Sequence, residues 1–326
     1  MTLFRDVGPW TILKLTFLQE YLKAYVTATQ SIKNADVCFM DLFAGPGRDR
    51  QRETGEIGDG SPLIAMSFYP GFRKFIFVDL NKSFVDQLAQ EAANRGIRDL
   101  AYPILGDCNL VIDQALKHVP LDGSTFTFID PEGTDAKWAT IVSIAQHKPQ
   151  SRNKVELFIL FPYDMALVRF LARDENSDFM VKVDTYRRID SVMPDTERWK
   201  KVYRARNQGL IDAGEARRRF AYLYWMGLKK LGYKYVVSPR LMTKPDGHPL
   251  YFLFFASDHE AGERIMSHVL NKRRGPERPE PYVQLAMEFA EAELLMPSIA
   301  DPWDFKEGEP WYDDESVDPD HITSFN

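Results

Sequence analysis

The stretch "FMDLFAGPGR", residues 39–48, decides the fold. An apolar run ends in an acid, Asp41, and turns at once through Phe43, Gly45 and Gly47. An ordinary surface loop does not need that order. A buried strand that ends against a ligand does, because glycine takes positive φ freely and lets bare amides approach a small anionic or zwitterionic molecule. The pattern is D-x-F-x-G-x-G. A dinucleotide turn wants a third glycine where this chain has Arg50. No Lys-Ser or Lys-Thr follows the glycines, so the turn is not a P-loop either.

Working outward, WTILKLTFLQEYLKAYVTATQSI (10–32) has apolar residues at Ile12, Leu15, Leu18, Leu22 and Tyr25, with Lys14, Gln19 and Lys23 on the other side. That spacing predicts an amphipathic helix. DRQRETGEIGDG (49–60) reads as a polar loop. GSPLIAMSF then opens a helix, with Ser61 as N-cap and Pro62 at the first helical position. KFIFVDLN is a second strand closed by Asp79, and SFVDQLAQEAANRG is a helix stopped by Gly96. AYPILGDCN is a third strand and turn, STFTFIDPEG a fourth strand, 136–147 a helix, and VELFILFPYD a fifth strand. Strands alternating with helices, each strand apolar on both faces, predict an α/β fold with a doubly wound, mostly parallel sheet. A charged helical insertion follows at about 164–230. KYVVSPRL and LYFLFFAS bracket KPDGHP as a β-hairpin, and HEAGERIMSHVLNK closes a domain spanning 1–272. Residues 273–326 read as an acidic, Pro-rich extension: RRGPERPEPY as a linker, an apolar-acidic helix over 283–295, and a tail carrying Trp303, Trp311 and Tyr312.

The acids then fall into a series. Asp41, Asp79, Asp107 and Asp130 each stand at a strand end, and open parallel sheets bind ligands beyond the carboxyl ends of their strands. Asp79 is placed to accept from ribose hydroxyls. Asp107 is placed to accept from an adenine amino group, with the amide of Cys108 beside a ring nitrogen. Three carboxylates would repel a pyrophosphate but suit a neutral or cationic adenosyl ligand with free ribose hydroxyls. In "FIDPEG", Asp130 and the Pro131 carbonyl can polarise an amino group for attack on an electrophilic methyl, and Glu132 can take up the departing proton. Placement of nucleophile and methyl in line would supply much of the catalysis. Each of these motifs alone is also an ordinary turn; their repetition after four apolar strands is what marks a site.

"MDLFAGPGR", "GSPLIAM", "GDCN" with "FTFIDPEG", "LYFLFFASDHEAGERIM" and the opening "WTILKLTFLQEYLKAY" resemble the three-Cys-motif partner protein family (TcmP), over roughly residues 9–272. The resemblance implies a class I methyltransferase (Rossmann-like) fold using S-adenosylmethionine. It implies Asp41, Phe43, Gly45, Gly47, Asp79, Asp107 and Cys108 for the cofactor, and Asp130, Pro131, Glu132 and Gly133 toward the acceptor. It also implies a separate protein carrying the three cysteines, in keeping with only two here, Cys38 and Cys108. The D-x-F-x-G-x-G turn is similar to that of DNA methyltransferases. The amino-methylating branch follows Asp-Pro with a second proline and a stacking aromatic; Glu132 and Gly133 stand there instead, with Trp138 or Tyr163 as other stacking candidates. Neither cysteine follows a proline, which argues against a cytosine-C5 nucleophile. The expected activity is methylation of an amino or similar nucleophile in a nucleic acid or nucleoside. The alternative is a cofactor-fold scaffold subunit that serves the three-Cys partner without catalysing transfer.

Composition bounds these expectations. The chain of 326 residues is 44% hydrophobic, enough for a large core. No run approaches the ~20 apolar residues that span a bilayer, and the N-terminus lacks a signal-peptide pattern. Two cysteines form neither a disulfide framework nor a zinc quartet, so a reducing cytoplasm is the expected setting. The histidines show no metal-ligand spacing, and no metal is expected. Net charge is −6, yet residues 273–326 carry 14 acids against 4 bases, which leaves the rest at +4. RWKKVYRARNQGLIDAGEARRRF (198–220) has eight Lys or Arg against two acids. It reads as a solvated helical face or as a nucleic-acid-binding surface.

Overall fold

The computed structural model describes residues 2–29, 36–148, 153–163, 167, 179–244, 246–271, 298–299, 303, 305–309 and 311. Elements follow in chain order: β1 (Arg5–Val7), α1 (Pro9–Thr29), β2 (Cys38–Asp41), β3 (Arg48–Gln51), β4 (Ile57–Asp59), α2 (Ser61–Ser67), β5 (Lys74–Asp79) and α3 (Lys82–Asn94). Then come β6 (Ala101–Leu105), α4 (Cys108–Leu116), β7 (Thr125–Ile129), α5 (Trp138–Gln146), β8 (Glu156–Phe161), α6 (Phe179–Val192), α7 (Thr196–Asn207), α8 (Ala213–Lys230), β9 (Tyr235–Thr243), β10 (Pro249–Ser257), α9 (Glu260–Asn271) and β11 (Ser298–Ile299).

The main sheet has the order β11-β9-β10-β8-β7-β2-β5-β6. β6, β5, β2, β7 and β8 run parallel, while β10 is antiparallel to both β8 and β9. This is the doubly wound class I methyltransferase arrangement, with the second strand of the terminal hairpin slotted in reversed. Period-2 alternation sorts the strands' side chains into two cores. Phe39, Phe75, Phe77, Phe126, Phe128 and Phe158 form an aromatic face that α1, α2, α3 and α9 cover. Cys38, Met40, Ile76, Val78 and Ile159 form an aliphatic face under α4, α5 and α6–α8. The strands at the centre are buried on both sides, as their continuous apolar runs require. Edge strand β6 carries Pro103, which withholds one backbone donor from its open border.

Four local expectations are corrected. Residues 49–60 are not a loop: β3 and β4 form a hairpin that β1 joins in parallel, giving a separate three-stranded sheet. The N-cap of α2 is Gly60, and Ser61 is already helical. GDCN is not only a turn, because Asp107 caps α4 by accepting from the Asn109 amide and Cys108 opens that helix. Lys14 does not lie on the solvent side of α1. The buried stripe runs Thr11, Lys14, Leu18, Tyr21, Tyr25, which carries Lys14 inward.

The segment 164–230 contributes α6, α7 and α8 among the described residues. The expected linker and helix at 273–295 lie outside the described residues. Of the tail, Trp303 meets Phe252 edge-on, Phe305 packs on Tyr222, and Trp311 meets the same ring. Among the described residues, no helix is long and apolar enough to cross a membrane.

Candidate functional site

β2 sits between β5 and β7, and the chain builds outward to β6 before returning to β7. Connections therefore leave the carboxyl ends of β2 and β7 in opposite directions, which makes these ends the topological switch point where open α/β sheets bind ligands. Asp41, Asp79, Asp107 and Asp130 stand at or just after the carboxyl ends of β2, β5, β6 and β7. Leaving β2, the Leu42 amide still pairs with the Phe128 carbonyl, and the Ala44 amide with that of Val78. Gly45 (φ 63°) and Gly47 (φ 81°) then turn the chain through the left-handed region, which favours glycine. At Gly47 a Cβ would also approach Leu88 Cδ2 to 3.0 Å and Leu63 Cγ to 3.1 Å.

Asp41 is fully buried. Its Oδ1 accepts from the Phe43 amide at 3.0 Å, and its Oδ2 has no hydrogen-bond partner. Burial pushes its pKa up to about 7; the nearby Ser61 hydroxyl and the Phe43 amide moderate the shift, and the charge of Asp130 adds to it. Asp79 ties the turn to the next helix: Oδ2 accepts from the Gly45 amide at 2.8 Å and Oδ1 from the Asn81 amide at 2.7 Å. Phe43 is partly buried against the aliphatic core. Asp107 Oδ1 is engaged by the backbone and side chain of Asn109, which also fastens Thr140 and Asp135. The Cys108 thiol is buried and pushed up to about 12, so it takes no part as a thiolate.

Asp130 is buried at the end of β7, where Lys14 donates to its Oδ2. The Lys14 ammonium also lies 5.2 Å from the centroid of the Tyr251 ring. Pro131 is buried, Glu132 is exposed, and Gly133 (φ 57°) has open space where a side chain would stand. Trp138 and Tyr163 belong to the packed core, edge-on to Tyr224 and tilted on Phe252 respectively.

Two participants, Arg5 and Asp49, were not marked by motif, while a third, Lys14, lies in the opening stretch that carries the family resemblance. Arg5 on β1 approaches Asp49 on β3, with Nε 3.3 Å from Oδ1. Asp49 is buried, its Oδ2 has no hydrogen-bond partner, and burial raises its pKa against the pull of Arg5 and Lys14. These groups sense one another's charge across the glycine turn: Arg5 with Asp41, Asp49 and Asp130, and Asp49 with Lys14 and Asp130. No local pattern announces Arg5 or Asp49, because their pairing spans 44 positions. For Lys14 the sign was the i, i+4 step to Leu18 within the buried stripe.

Buried carboxylate oxygens without donors are costly unless something else satisfies them. Asp41 Oδ2 and Asp49 Oδ2 therefore call for an amino or cationic group, and the glycine turn admits a ligand close to the backbone. S-adenosylmethionine, with an ammonium and a sulfonium, fits that donor set.

Elsewhere, a cleft opens at the amino ends of β7 and β8, away from this site. Buried Glu156 lies along it, accepting from Tyr21 at 2.6 Å and Ser257 at 2.7 Å, and burial pushes its pKa up to about 7. On the basic stretch, Arg198 pairs with Asp195 at 2.8 Å, Lys200 with Asp190 at 3.3 Å, Arg219 with Glu215 at 2.6 Å, and Arg218 with the tail's Glu309 at 2.7 Å.

No known family model matches the chain, and no curated protein matches it. Solved structures give distant likenesses. The O-methyltransferase TomG from Streptomyces achromogenes, in complex with SAM, is 13% identical, with 74% of this chain and 79% of that one covered and a TM-score of 0.36. An O-methyltransferase from Bacillus cereus, in complex with SAH, is 12% identical over 73% and 80%, with a TM-score of 0.35. A Legionella pneumophila protein is 10% identical over 88% and 97%, with a TM-score of 0.42. At these scores the likenesses carry no weight for fold or chemistry, which rest on the strand order and the site itself.

Proposed function

We propose that this protein is an S-adenosylmethionine-dependent methyltransferase acting on an amino or similar nucleophile of a nucleic acid or nucleoside. The observation that carries the reading is the fully buried Asp41, with one carboxylate oxygen unsatisfied beside a two-glycine turn at the topological switch point. Bound S-adenosylmethionine supplies an electrophilic methyl group whose departure leaves a neutral thioether, so no general acid is required.

The chain's own residues do the rest. Asp41 accepts from an ammonium. Asp79 stands beside the turn to accept from ribose hydroxyls, and Asp107 and the Cys108 amide edge the adenine side. Asp130 and the Pro131 carbonyl orient the acceptor nitrogen, and exposed Glu132 can receive its proton. Lys14 holds the Asp130 carboxylate in place. A three-Cys-motif protein is the proposed partner, by sequence resemblance, and the basic stretch 198–220 the proposed nucleic-acid contact. Its intramolecular ion pairs would have to open for phosphate to bind there.

A second reading is a scaffold subunit that binds cofactor without transfer. Gly133, open where the amino-methylating branch keeps a stacking aromatic, favours it. Incubation with radiolabelled S-adenosylmethionine and cellular RNA, DNA and protein, with and without the partner, separates the two. Label transfer abolished by Asp130→Ala supports the enzyme; cofactor binding with no transfer to any fraction supports the scaffold.

A further inference from the structure

We propose that Arg5 receives the carboxylate of the cofactor's amino-acid end, so that strand β1 is part of the binding site rather than a cover beside it. The proposal rests on the S-adenosylmethionine reading.

Parallel pairing sets Arg5 opposite Asp49 in the small sheet, immediately after the glycine turn. The guanidinium lies over Gly45: its Cζ is 3.8 Å and its Nη1 3.9 Å from where a Cβ on that glycine would be. Only Nε is engaged, with Asp49. Neither terminal nitrogen has a hydrogen-bond partner among the described residues, although the planar fork is suited to a bidentate carboxylate. The side chain is 31% exposed, so it is neither locked in the core nor free in solvent.

The charge balance points the same way. Asp41, Asp49 and Asp130 face Arg5 and Lys14, three acids against two cations. The amino-acid end with its sulfonium carries two positive charges and one negative. The carboxylates suit the ammonium and sulfonium, but they would repel the cofactor's carboxylate unless a cation stood among them. Lys14 is committed to Asp130. Arg5 is the cation at the glycine turn with donors to spare.

The competing role is structural, with Arg5 serving only to fasten β1 to Asp49. Two ligands separate the roles. S-adenosylhomocysteine has the amino-acid end, whereas 5′-methylthioadenosine lacks it. Calorimetric titration of the full chain, as wild type, Arg5→Gln and Arg5→Lys, is the test. Expected is a loss of about tenfold or more in affinity for S-adenosylhomocysteine in Arg5→Gln, as for a charged hydrogen bond. Arg5→Lys should recover part of it, and methylthioadenosine binding should stay within about twofold of wild type in both variants. Equal weakening for both ligands, or no change for either, overturns the proposal and leaves the cofactor reading standing. Wild-type protein that binds neither ligand overturns both.

Discussion

Lys14, on the first helix, and Asp130, at the end of the fourth parallel strand, form an ion pair with both side chains under a tenth exposed. Such a pair is costly to break from one side, because the survivor is left buried and uncompensated. Lys14→Met is expected to lower unfolding free energy by about 3–5 kcal/mol, read from urea denaturation. The double variant Lys14→Met/Asp130→Leu should regain most of that stability. A single variant as stable as wild type would mean that water reaches the pair.

Asp41 gives a pH signature. Its folded pKa is raised to about 7, whereas an unfolded aspartate titrates near ~3.9. Between those values the folded protein keeps a proton that the unfolded chain has released. Stability therefore falls as pH rises through that window and levels off above it. Asp41→Asn removes the loss and is expected to be more stable than wild type at about pH 8, by roughly 1–3 kcal/mol, with little difference near pH 4. The same variant should lose S-adenosylhomocysteine binding. In wild type that affinity should rise across neutral pH, as the carboxylate that accepts the ammonium ionises.

Glu156 supplies the control. It is also raised to about 7 by burial, but it stands at the opposite end of the strands. The sign is the same, so Glu156→Gln should gain stability at about pH 8 by a similar roughly 1–3 kcal/mol. Ligand affinity should not change. Chemical denaturation paired with titration checks both halves of this contrast.

Gly47 and Gly133 share a left-handed backbone but not their surroundings. Gly133→Ala enters open space and should cost only the backbone strain, about 1–2 kcal/mol. Gly47→Ala adds the approach to Leu88 and Leu63 and should cost more, about 2–4 kcal/mol, with impaired cofactor binding. Thermal melts of the two variants decide the order.

The sheet was legible because its central strands are buried on both faces, and their apolar runs end in acids. Helix α4 was missed because Leu110, 83% exposed, blurs its short period. The β3–β4 hairpin was missed for a different reason. RDRQ and IGD contain no apolar alternation, and their pairing depends on β1 and on ion pairs such as Arg50 with Asp6. The acids at strand ends could be found by position. Arg5 arrives beside them through a contact 44 positions away that no local spacing records, whereas Lys14 shares the buried i, i+4 step with Leu18.

Strand β1 has a further consequence for biogenesis. It leaves the ribosome ahead of its partner strand, which is translated 44 residues later. The residues of β1 must wait, undocked, while the hairpin emerges. Non-local closure of this kind carries a loop-entropy cost before any contact rewards it. The proposed site is thus expected to reach its working shape after the surrounding sheet has begun to form, with its maturation trailing that of the scaffold.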